Sequence, residues 1–235
     1  MTTAAARPFY LYMSLACAVT AFAGFAPTYF LRSFSDLPPL SLRAHIHGAL
    51  STAWMLLFII QAVLIRADRR DLHRSLGIAG AALAALVVWA GIWASIGVVV
   101  RFEATGFRPH GLTPIAFLST QLGTVLQFGV LVCLGIAFRK RTDVHKRLML
   151  LATISMLPPA IARLHLENYG LNIHYSSPLL AYSLVVIAAA FDLVRLRRVH
   201  PVYIWGGLAM LAWMVARSEI GTMAWWQPIG RWLVD

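Results

Sequence analysis

The chain of 235 residues is 60% apolar and only 12% charged, with a mean hydropathy of +0.72. Water-soluble domains carry about a quarter charged residues, so this much apolar surface excludes a soluble fold and makes lipid part of the solvent. The net charge of +11 is then orienting charge in loops; with no basic-aromatic module in the sequence, a nucleic-acid partner is excluded.

Seven apolar stretches follow one another at 9–31, 44–65, 76–100, 114–138, 148–163, 178–194 and 201–217. At about 1.5 Å per residue each approaches the ~30 Å of a bilayer's hydrocarbon, the fifth being short. The pattern predicts an all-α, polytopic transmembrane bundle in one domain, 1–235, with a core at about 44–165.

The first stretch follows Arg7 and contains Ala21-Phe22-Ala23, which resembles a signal-peptide cleavage site. Its apolar run continues to Leu31, a spanning length, so it reads as a retained helix. The second opens on His45-Ile46-His47-Gly48 and also holds Ser51 and Gln61. Residues two apart on a helix diverge by about 200°, so His45 and His47 cannot share a pocket. His47, with Ser51 one turn away, is the inward candidate. The third opens on Asp71-Leu72-His73-Arg74, where the aspartate can cap the first turn. Small residues at Gly77, Gly80, Ala81, Ala84 and Ala85 then allow a neighbouring helix to approach closely.

The fifth stretch begins Asp143-Val144-His145-Lys146-Arg147, echoing the third. Pro158-Pro159 removes two backbone donors and frees carbonyls near Ile154 and Ser155. Arg163 lies sixteen residues beyond Arg147, about 24 Å along a helix, and so belongs to the opposite membrane face, near His165 and Glu167. The seventh opens on His200-Pro201, with the proline suited to a first helical position. Trp225, Trp226 and Trp232 make the tail, 218–235, an interfacial anchor.

The basic residues choose the orientation. Arg7, the loop holding Arg66, Arg69, Arg70 and Arg74, the loop holding Arg139 to Arg147, and Arg195, Arg197 and Arg198 place 13 of the 20 on one face. That face is predicted to be cytoplasmic, with the N-terminus inside and, after an odd number of spans, the C-terminus outside. The expected location is a bacterial inner membrane, with the lipid bilayer and another membrane protein as partners.

On this topology the eight histidines form two layers. His73, His145 and His200 lie at cytoplasmic helix starts, while His45, His47, His110, His165 and His174 lie at or beyond the outer ends. The inner layer reads either as interfacial side chains among anion-binding helix N-termini, or as ligands. In the second case His73, His145 and His200 ligate a metal, or a haem iron with a nearby arginine on a propionate. The outer candidates are His47 and Arg163, with Glu167. No acidic or basic residue is expected in mid-span, which disfavours a proton-driven transporter. The phosphate-binding Gly-rich loop, His-Glu-x-x-His and Cys-x-x-Cys-His are all missing.

His47-Gly48, Gln61, His73-Arg74-x-x-Gly77, His145-x-x-x-Met149 and Arg163 together make a pattern. It resembles an uncharacterised family of bacterial multi-pass membrane proteins over about residues 44–165. More loosely, histidines at the helix ends of a four-helix core are similar to haem-binding bundles such as cytochrome b561 and haem A synthase. That likeness implies haem b, held by His47 on one face or by His73 and His145 on the other, with Arg163 as a further cofactor contact. Three functions stay open: haem handling or redox chemistry, lipid or anion binding in the assembly of other complexes, and transport of a small polar solute.

Overall fold

The computed structural model describes residues 7–34, 36–37, 39–164 and 173–235, and among these every regular element is helical. α1 (Arg7–Phe25) continues into a wide π-type turn at Ala26–Phe30. α2 (Leu42–Arg66) is capped by Ser41, whose hydroxyl accepts from the Ala44 N–H. α3 (Arg70–Thr105) has 36 residues. At about 54 Å it is longer than the hydrocarbon is thick, and it stops at Gly106, in the left-handed region. α4 (Pro114–Ala137) is capped by Thr113 with Pro114 at its first position. After α5 (Thr142–Ser155) and the short α6 (Pro158–Ala162) come α7 (Ile173–Leu196), α8 (Pro201–Thr222) and α9 (Trp226–Val234).

Among the described residues five helices are long and apolar enough to cross a membrane: Pro8–Phe30, Leu42–Arg66, Arg70–Thr105, Pro114–Ala137 and Ser176–Leu196. They fall on the first four expected spans and the sixth. The seventh expected span forms α8, 22 residues long, in which Tyr203, Trp205, Gly206, Gly207, Trp213 and Arg217 dilute the apolar character. The fifth is divided into α5 and α6, and the packing explains its shortness. α5 touches α1, α4, α7 and α8. Leu150, Leu151, Ala152, Thr153 and Ile154 are completely buried, so protein rather than lipid solvates this stretch. Trp54 of α2 reaches across to it, its indole N–H donating to the Thr153 hydroxyl (3.3 Å) and its ring standing edge-on to Phe128 of α4.

Large apolar side chains on the outside, including Ile78, Val186, Val194 and Trp205, are the surface a hydrocarbon solvent demands. α9 docks on α3, α4 and α8; Trp226 donates to the Ile115 carbonyl (2.8 Å) while Trp232 projects outward.

Two local expectations change and one holds in part. The break at Pro158-Pro159 offers no free Ile154 carbonyl, because the Leu157 N–H donates to it (3.0 Å) in a tight turn. The break instead brings α6 against α1, where a side chain at Gly24 would stand 2.1 Å from the Ala160 carbonyl oxygen. Asp71 and Asp143 sit two residues past the cap positions of α3 and α5, which are Arg69 and Arg141, yet their carboxylates accept from first-turn N–H groups, Leu72 and Val144 among them. The bundle interior also contains charge. Arg147 and Asp192, each 3% exposed, form a two-pronged ion pair at 2.8 and 2.6 Å. Arg217 is buried against Gly123, with its guanidinium on the Thr124 hydroxyl.

Candidate functional site

The basic loops place His73 and His145 at the same position of two helices, the fourth residue of α3 and of α5. The two rings face each other edge to face, with centroids 6.3 Å apart. α5 can come this close because α4 offers Gly135: a side chain there would meet the Met149 sulfur at 2.7 Å. The same glycine supplies its carbonyl to His145 Nδ1 (2.7 Å). A carbonyl only accepts, so Nδ1 carries the proton and Nε2 keeps its lone pair.

Gln61 of α2 holds the start of α3 by donating to the His73 carbonyl (3.2 Å). His73 Nδ1 and Gln61 Oε1 are both buried without a hydrogen-bond partner. A buried, unmatched polar atom costs about 1–3 kcal/mol, so two of them at one place need an explanation, and a ligand is one. Arg74 adds a positive charge that acts on His73.

His200 does not join this pair. It caps α8, its Nδ1 accepting from the Val202 N–H (3.2 Å), and its Nε2–H donates to the Asp143 carboxylate (3.2 Å). Both ring nitrogens are therefore used. Burial would push the Asp143 carboxyl up, but hydrogen bonds from His200 and from the Asp143 and Val144 N–H groups hold it below the usual carboxylate range. Among the described residues no three His, Cys, Asp or Glu side chains stand together as a metal-holding group, and His200 lies on Asp143 rather than on the other two histidines.

Toward the other end of the bundle the His47 ring points inward, 3.7 Å from where a side chain at Gly91 of α3 would begin. From His73 to Gly91 is eighteen residues, about 27 Å, so the two candidate sites lie at opposite ends of the bundle. His47 Nδ1 and Ser51 Oγ are buried without partners. Arg163 donates to the Pro159 carbonyl (2.6 Å), lies over the Phe25 ring (4.5 Å) and is near enough for its charge to act on His47. Glu167 and His165 lie outside the described residues. His45 packs on Tyr29, whose hydroxyl donates to the His45 carbonyl (3.2 Å).

Reading the sequence missed the Arg147–Asp192 pair because each residue stands near an apolar stretch's end. Only the crossing of α5 and α7 brings them together. A lone aspartate in the last turns of an apolar stretch was the available signal. Comparison with known proteins finds no matching family model, no similar curated protein and no similar solved structure.

Proposed function

We propose that this is a bacterial inner-membrane protein of seven spans, N-terminus in the cytoplasm and C-terminus outside. It holds haem b between His73 and His145 at its cytoplasmic end and serves one-electron transfer. One observation carries the reading: two imidazoles from different helices face each other at 6.3 Å, one with Nδ1–H tied to a backbone carbonyl and the other with a buried, unmatched nitrogen. Imidazole is a natural haem ligand, and His73 from α3 and His145 from α5 would be the residues to hold it. The Gly135 carbonyl fixes the His145 tautomer in the way that outer partners fix ligating histidines elsewhere. When bound, haem supplies a reversible one-electron couple. The chain's own residues do the rest: His73 and His145 offer ring nitrogens, Gln61 anchors the His73 backbone, and Arg74 would pair a propionate.

The test is a reduced-minus-oxidised absorption spectrum and a metal analysis of detergent-purified protein from cells supplied with haem. The expected result is a haem b spectrum that His73→Ala or His145→Ala abolishes and His47→Ala leaves unchanged. Colourless, metal-free protein overturns the reading.

A second reading rests on the outer end, where Arg163 acts on His47 and both His47 Nδ1 and Ser51 Oγ lack partners. There the protein takes up a small anionic solute. Uptake into proteoliposomes that Arg163→Gln abolishes is its expected consequence.

A further inference from the structure

Between α4 and α8 runs a groove of about 700 Å³. Leu126, Val130 and Leu134 form one wall and Trp205, Ala209 and Trp213 the other. The walls are apolar, as any lipid-facing cleft would be, and the two ends distinguish this one. At the deep end the polar groups are already satisfied: Gln127 donates to the Tyr182 hydroxyl (3.2 Å) and Trp213 to the Gly123 carbonyl (2.8 Å). Both of these lining side chains are thus engaged within the bundle. At the other end stands Arg141, following Arg139 and Lys140, its guanidinium over the Phe138 ring (5.8 Å). Among the described residues no carboxylate pairs with any of the three. The nearby acid, Asp143, is committed to His200.

The length matches one kind of occupant. Gln127 to Ala137, where α4 ends, is ten residues, about 15 Å along the helix, and the turn that carries Arg141 lies just beyond. Half of a bilayer's hydrocarbon is likewise about 15 Å deep, with the headgroup beyond it. We propose that the groove is a resident site for one anionic phospholipid, with an acyl chain between α4 and α8 and the phosphate on Arg141. Arg141 at the mouth, with Arg139 and Lys140 in the same turn, selects net negative charge over a zwitterionic head, and the engaged side chains of the deep end select a hydrocarbon terminus. This site stands independently of any haem at His73 and His145.

The experiment is native mass spectrometry of the full chain in mild detergent, titrated with phosphatidylglycerol, with phosphatidylcholine of the same acyl chains, and with inorganic phosphate. One phosphatidylglycerol bound per chain is expected, with phosphatidylcholine and phosphate both much weaker. Arg141→Gln weakens phosphatidylglycerol binding about five-fold, the value of one basic residue at an anionic headgroup. Ala209→Phe, which fills the groove from an exposed position, abolishes binding, and Arg66→Gln, on a different loop, leaves it unchanged. Circular dichroism reports folding; if Ala209→Phe fails to fold, Val130→Phe from the facing wall replaces it. Equal binding of phosphatidylcholine, phosphate matching the whole lipid, or full binding by the folded groove-filling variant each overturns the proposal.

Discussion

Asp192→Ala leaves the Arg147 guanidinium charged in the middle of α1, α5, α7 and α8 with no counter-charge. Both side chains are 3% exposed and joined by two bonds at 2.8 and 2.6 Å, so water cannot replace the lost carboxylate without opening the packing. Removing one partner of such a pair typically costs about 3–5 kcal/mol. Arg147 keeps its bond to the Asp143 carbonyl (2.7 Å) and its place over the Tyr203 ring (5.5 Å), which puts the loss near the lower end, ~3 kcal/mol. Asp192→Asn, which retains one acceptor, loses less. The double variant Arg147→Met with Asp192→Leu removes both charges and returns to within ~1 kcal/mol of the parent. Equilibrium urea unfolding in detergent measures these proteins together with the singles Arg147→Met and Asp192→Leu, which complete a double-mutant cycle. A loss below ~1 kcal/mol for Asp192→Ala, or a double variant as unstable as the sum of the singles, would refute the buried-pair argument.

Reporter fusions after residues 70, 141 and 198 should report cytoplasm, and those after 105, 170 and 235 the outside; reversal at two internal loops removes the seven-span orientation. Gly24→Val and Gly221→Val each push a methyl-bearing carbon into backbone, Ala160 O at 2.1 Å and Ala116 O at 2.3 Å. Losses of at least ~1–3 kcal/mol are expected in thermal unfolding, and wild-type stability would show that these helices do not pack so closely. Because the Asp143 carboxyl is held below its usual 3.8, its bond to His200 stabilises the fold above that value and is lost as pH falls through the lower folded one. Melting temperature against pH should therefore separate the parent from Asp143→Asn near neutrality and converge in acid; parallel curves throughout would contradict this. Trp54→Phe removes the bond to the Thr153 hydroxyl, which keeps its own to the Met149 carbonyl (3.0 Å), and should lose about 0.5–1.5 kcal/mol, measured by the same unfolding assay.

The membrane class and the all-helical architecture were legible in the chain itself. Hydropathy is a local sum, and a long apolar run that is mostly lipid-facing declares itself, as α2, α3 and α7 do. Helix starts were partly readable: Pro201 takes the first position of α8 as its missing N–H suggests, directly behind the His200 cap. The weakly apolar fifth stretch was readable as an element but not as the centre of the bundle, because burial by protein leaves no trace in hydropathy. Which histidines meet was likewise undecided. His73, His145 and His200 share one layer by position, yet the approach of α5 to α4 at Gly135 pairs the first two, while Asp143 and the α8 cap take the third. The Arg147–Asp192 pair has the same origin, since 45 residues separate its members. Composition determines the solvent and the helices. Rotation of each helix about its axis, and the neighbour it meets there, depend on packing among residues far apart in the chain, so only the tertiary structure decides them.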